Sequence, residues 1–194
     1  MRIARRNSVR AWTWLVVAAG CALQCAAQSR ANAEGPSREY AVKAAFIFNF
    51  AEFVEWPADA FKEAASPLVI GIVGDDPFQG ALEKAVAGKT VGGRPFEVRH
   101  LTSSDDLRSC QILFVAGSEN EKTAEILHKV EGGSVLTIGE SDQFPWAGGV
   151  IRFFLEDGKV RFEINQDAAE SSKLKISSKL MKLAHLFHKP DAGR

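Results

Sequence analysis

Cysteine is scarce in this chain: of three copies, Cys21 and Cys25 sit among the first 33 residues, which leaves Cys110 alone in the remainder. A lone thiol excludes an intramolecular disulfide there and leaves an intermolecular bridge, a redox handle or a plain buried group. Ile112, Leu113, Phe114 and Val115 follow it closely, and such neighbours favour burial ahead of a core strand. Long apolar runs are missing as well. The longest opens at Trp12-Thr13-Trp14-Leu15-Val16-Val17-Ala18-Ala19 and soon meets Gln24, Gln28, Ser29 and Arg30, short of the roughly 20 residues a membrane span needs. Nor is positive charge in excess beyond the first 33 residues. Residues 34–194 hold 19 Lys and Arg against 24 Asp and Glu, a net charge of −5, so nucleic acid is a poor candidate partner and none is expected.

Motifs for catalysis are absent too. Of the four histidines, His100, His128, His185 and His188, only the last two are three residues apart. No HExxH pattern and no carboxylate at ligand spacing accompanies them. Solvated histidines near the end of a helix are the simpler reading, and that position suits partial positive charge. Gly117-Ser118-Glu119 and Gly139-Glu140-Ser141 do not form a nucleophile elbow. Gly71-Ile72-Val73-Gly74-Asp75-Asp76 lacks both the GxGxxG spacing and the phosphate-binding lysine, and its two aspartates repel phosphate. The expectation is a protein that is not an enzyme and holds no metal and no cofactor.

What is present begins with a leader. Arg2, Arg5, Arg6 and Arg10 precede an apolar stretch from Ala11 to about Ala27, and no acidic residue interrupts. This is the layout of a signal peptide. Small residues in Ala31-Asn32-Ala33 place the cut after Ala33, so residues 1–33 are expected to be removed and the protein exported to the periplasm. Lipid attachment at Cys21 is the weaker alternative, because Ala18 stands where a branched apolar residue is expected. The 161 residues from 34 to 194 suit one domain that buries about 70% of its unfolded surface.

From Arg38 to Trp56 no glycine occurs, and Tyr40, Ala44, Ile47, Ala51 and Val54 follow helical spacing. Pro57 closes that helix. Leu68 to Val73 reads as a buried strand, followed by the loop Gly74-Asp75-Asp76-Pro77 and a helix carrying Phe78, Leu82, Ala85 and Val86. A second strand falls within Lys89 to Leu101, a third at Gln111 to Ala116, a helix at Glu119 to Val130 and a fourth strand at Ser134 to Ile138. Strands alternating with helices imply parallel pairing. Val150 to Leu155 and Val160 to Ile164 flank Glu156-Asp157-Gly158-Lys159, a hairpin signal. Asn165 caps a short helix through Ser171, and Ser177 caps a last one with Leu180, Leu183, Ala184 and Phe187 as its core stripe. The fold class is α/β: a single three-layer domain with a largely parallel, Rossmann-like sheet, extended by an antiparallel hairpin and flanked by helices.

Two surfaces could carry a function. Phe46, Phe50 and Phe53 occupy a second sector of the first helix and, together with Trp56 at its end, bring more aromatic surface than one crossover helix usually hides. They are the candidates for binding a partner, or a second copy of the chain in a homodimer. Gly74, Asp75 and Asp76 lie at the C-terminal end of a strand, where open α/β sheets place ligands. Phe144 and Trp146 precede the paired glycines 148 and 149, and Arg152 is a cation that could meet an anion, as Arg99 and Arg108 could. These six, Gly74, Asp75, Asp76, Phe144, Trp146 and Arg152, are the candidates for a small-molecule ligand.

Several stretches together resemble one family. Lys43-Ala44-Ala45-Phe46-Ile47-Phe48-Asn49-Phe50-Ala51-Glu52-Phe53-Val54-Glu55-Trp56-Pro57 resembles the opening helix of YfiR-like periplasmic proteins. Ile70 to Phe78, Cys110 to Val115, Gly148 to Phe153, Val160 to Asn165 and Leu174 to Ala184 add to the likeness, which runs from about Tyr40 to Phe187. The name-giving branch is a periplasmic repressor that binds the sensory part of an inner-membrane diguanylate cyclase and holds down cyclic di-GMP and biofilm formation. The resemblance implies a non-catalytic regulator here. That branch carries extra cysteines for intramolecular disulfides, whereas this chain has Cys110, so redox control of that kind is not implied. The alternative is a periplasmic ligand-binding module that serves a sensor histidine kinase or a transporter.

Overall fold

The computed structural model describes residues 38–63 and 65–189; the expected leader and its cleavage point lie outside them. The opening helix, α1 (Arg38–Phe53), buries Lys43, Ala44, Ile47, Phe50 and Ala51, positions that share one face at 3.6 residues per turn. It ends earlier than the spacing predicts. Val54 and Glu55 form a two-residue strand, β1 (Val54–Glu55), before Pro57 is reached. Pairing wins over helix because the Phe53 carbonyl accepts from the Ser177 N–H at 2.9 Å. β1 then lies antiparallel to β9 (Lys175–Ile176), Val54 facing Ile176.

The main sheet has eight strands, and its first, β2 (Leu68–Val73), is buried throughout. Next come β3 (Thr90–Val91), β4 (Arg94–Leu101), β5 (Ile112–Val115), β6 (Leu136–Gly139), β7 (Ile151–Glu156), β8 (Lys159–Asn165) and β10 (His185–Phe187), in the spatial order β10-β8-β7-β6-β5-β2-β4-β3. Strands β4, β2, β5, β6 and β7 run parallel, and β8 returns antiparallel to β7 as the Asp157-Gly158 turn requires. The stretch read as a second strand is a hairpin, β3 folding back on β4 around Gly92 and Gly93.

Helices cover both faces. Ile70, Ile72, Ile112, Phe114, Leu136 and Ile138 point to α1 and α2 (Ala81–Val86), while Val73, Leu113, Val115 and Val135 point to α3 (Thr123–Val130). This alternation makes three layers, and each fully buried large side chain contributes about 1.5–3 kcal/mol through the surface it removes from water. Two helices start later than their spacing predicts. Gly80, with φ +85°, stands before α2, so Phe78 plugs the core from a turn. Residues Gly117–Lys122 form a 3-10 turn ahead of α3. Asn165 caps α4 (Gln166–Ser171) by accepting from the Ala168 N–H, as its sequence position suggests.

The end of the chain departs most from expectation. Ser177 does cap a helix, α5 (Ser178–Met181), but it lasts four residues. The chain then forms β10, parallel to β8, with Leu186 opposite Ile164. The helical stripe Leu180, Leu183, Ala184, Phe187 is thus broken: Leu180 is buried and Leu183 is 71% exposed. The open edge of β8 offered backbone partners that a longer helix would have left unmet. His185 and His188 belong to that strand and its exit, not to a helix end. No helix among the described residues is long and apolar enough to cross a membrane.

Candidate functional site

The aromatic sector of α1 meets the β7–β8 hairpin. Phe50 is completely buried, its ring 4.9 Å from that of Phe162 and 5.6 Å from that of Phe153. Phe46 reaches the same two rings at 5.4 and 6.1 Å. The apparent surplus of aromatic surface therefore has an intramolecular use: it closes the hairpin over the core. Phe50 is a core residue and cannot touch a partner in this fold, which corrects the expectation placed on it. Phe46, Phe53 and Trp56 remain half-buried. Trp56 is held by its indole N–H, which donates to the Gln111 carbonyl at 3.1 Å, and the Gln111 side chain donates to the Ala60 carbonyl at 2.7 Å and accepts from the Val69 N–H at 2.9 Å.

A buried charge sits one turn from the start of the same helix. Lys43, 4% exposed, pairs with Glu39 and Glu140, and the Tyr40 hydroxyl donates to Glu140 Oε2 at 3.1 Å. Burial, with the carboxylates of Glu140 and Glu39 beside it, pushes the Tyr40 phenol far above its ordinary value. Glu140 directly follows β6, so this cluster fastens α1 to the C-terminal rim of the parallel strands. Sequence reasoning missed it. The available signal was a lysine four residues after Glu39, set inside an apolar stripe where a charge needs partners.

On that rim the chain leaves β2 toward β4 on one side and returns to β5 on the other, so the topological switch lies between β2 and β5. Here Gly74, at φ +95°, lies so close to the β5 loop that a Cβ would stand 2.8 Å from Glu119 Cγ. The Asp75 N–H donates to Ser118 Oγ at 2.9 Å, and Asp76 accepts from the Phe78 N–H at 2.8 Å. The loops close the crevice on themselves, and Asp76 caps a turn.

The other ligand candidates are not brought to that point. Phe144, a ligand candidate, is 1% exposed because its ring is clasped between Gly139 and Gly149, where any Cβ would collide with it. Arg152 lies between Asp142 and Glu163, which occupy its charge. Trp146 is 47% exposed, with its ring edge-on to Phe187 at 5.0 Å. It borders a cavity of about 410 Å³ between α3, the 145–148 loop and α4, with Thr137 and Asn165 on its wall. Among the six candidates Trp146 alone lines this space. No group of three metal-ligating side chains occurs among the described residues. Cys110 is buried, as its neighbours imply, and burial pushes its thiol up.

Residues 40–185 match the YfiR/HmsC-like family. No curated protein matches the chain. Among solved structures, the chain is similar to a conserved domain protein from Vibrio cholerae O1 biovar El Tor strain N16961, at 12% identity and a TM-score of 0.45, over 61% of this chain and 54% of that one. It thus spans about half the length of that neighbour, and the identification rests on the family match. Because that match runs from the first turn of α1 to the opening residue of β10, through the Lys43 cluster and the aromatic hairpin seat, the chain belongs to the YfiR/HmsC-like family.

Proposed function

We propose that this protein is a non-catalytic periplasmic regulator that binds the sensor part of an inner-membrane diguanylate cyclase and holds its output down. Export follows from the leader, with cleavage after Ala33. The family match over residues 40–185 carries the reading. The geometry is compatible with it, since the two least exposed of the paired cations are engaged in structure, Lys43 with two carboxylates and Arg152 with two more. Around α1, contact chemistry is left to shape and apolar surface. The partner-facing residues on this reading are Phe46 and Phe53 on α1 and Trp56 just past β1, all half-buried, with Phe50 behind them as support.

Deleting the gene is expected to raise cyclic di-GMP in the producing cell; an unchanged level overturns the reading. In a capture experiment with the periplasmic domain of a neighbouring cyclase, Phe53→Glu is expected to weaken binding while circular dichroism stays native. A histidine kinase captured in its place assigns the regulator to that class of sensor. The cavity beside Trp146 favours a second reading, a small ligand bound there and read by a sensor kinase or transporter, since about 300–1,000 Å³ is the usual range for such sites. A melting temperature unmoved by amino acids, nucleotides and vitamins counts against it.

A further inference from the structure

Charge is unevenly placed along this domain. Residues 34–170 hold 13 Lys and Arg and 23 Asp and Glu, whereas residues 171–189 hold Lys173, Lys175, Lys179, Lys182 and Lys189, two histidines and no carboxylate. All five lysines are exposed, and among the described residues none forms an ion pair. Glu55 faces Lys175 across the β1–β9 register without bonding to it, and Glu170 hydrogen-bonds Gln166. The same segment carries greasy tips. Leu183 and Leu186 are 71% and 45% exposed. These are two of the five large apolar side chains that the described residues leave open to solvent.

We propose that the free α5–β10 edge, Lys179 to Lys189 with Leu183 and Leu186, is a docking site for an anionic lipid surface. Lysines left unpaired in a protein otherwise rich in carboxylates attract negative headgroups, and each adds to the attraction close to the bilayer. Leu183 and Leu186 between them enter the headgroup boundary. Two observations favour lipid over a second copy or an added strand. A second copy would meet the same three lysines, Lys179, Lys182 and Lys189, across a two-fold axis. The free edge of β10 is three residues long, the short kind of edge that resists pairing with another strand. Docking here would hold the domain at the membrane and raise its local concentration beside an embedded partner. The proposal stands independently of the partner contact on α1.

The test is co-sedimentation of the protein, purified as cells process it, with phosphatidylglycerol–phosphatidylethanolamine vesicles and, separately, with phosphatidylcholine vesicles. Binding to the anionic vesicles alone is expected, weakening as salt rises. The variant K179E/K182E should bind them about tenfold or more weakly, and Leu183→Ser should weaken binding without changing its salt dependence. Should circular dichroism show that the double variant is unfolded, Lys189→Glu, beyond the last strand, makes the same test. No binding to anionic vesicles, or binding unaltered in a folded charge-reversed variant, overturns the proposal. Loss of sensor capture in that variant without any vesicle binding also overturns it, and assigns the face to an acidic protein. Phe53→Glu should leave vesicle binding unchanged, so failure of one reading is separable from failure of the other.

Discussion

Lys43 shows how a single side chain can fix the position of a helix. Its ammonium is buried, and its compensation comes from Glu39 one turn earlier and Glu140 about a hundred residues later. Truncating it leaves Glu140 without its cation, so Lys43→Ala is expected to cost about 3–5 kcal/mol in a denaturation experiment. The double variant Lys43→Met with Glu140→Gln should recover much of that loss, because no uncompensated charge remains. Tyr40 makes a second prediction possible, since it is the single tyrosine of the chain. Its phenol is pushed up in the folded state, so its contribution is fully present below the ordinary value of about 10 and declines as pH rises above it. Tyrosinate absorbance in the native protein should therefore develop well above pH 10, and Tyr40→Phe should lose less stability on raising the pH than the parent does. Cys110, enclosed and with its thiol pushed up, should react with a thiol reagent only after denaturant is added.

Among the elements, α1 and the central strands were legible because their patterns are local. A 3.6-residue stripe and continuous apolar runs describe what each segment buries, whatever the rest of the chain does. The misread elements depend on distant partners. Leu180, Leu183, Ala184 and Phe187 fit a helical stripe, yet the edge of β8 recruits His185–Phe187 as a strand. Phe50 looked available because the hairpin that covers it lies about a hundred residues away, and Phe144 because the slot between two glycines is invisible in a linear reading. Phe50→Ala, which empties the seat shared with Phe153 and Phe162, should cost about 3–5 kcal/mol. If it does so while Phe53→Glu leaves stability unchanged, the division of α1 between core and rim is confirmed by thermal melting alone.

At the scale of the whole molecule, three layers and a parallel sheet followed from the alternation of strand and helix, and the ordered set of stretches pointed to the family. The candidate site was less legible: of the residues singled out, Trp146 borders the cavity, whereas Gly74, Asp75, Asp76 and Arg152 serve the fold's own turns and ion pairs. The domain should unfold in one cooperative step, with far-ultraviolet dichroism and tryptophan fluorescence coinciding, because both faces of one sheet share their strands. The clasp between Tyr40, Lys43 and Glu140, with sequence separations of 100 and 97 residues, also bears on how the chain is born. Synthesis runs from the N-terminus, so the most aromatic helix emerges first, while the strands that shelter it are among the last to arrive. Until β7 and β8 exist, the aromatic side of that helix has no cover of its own, and a holding chaperone would find its best foothold there.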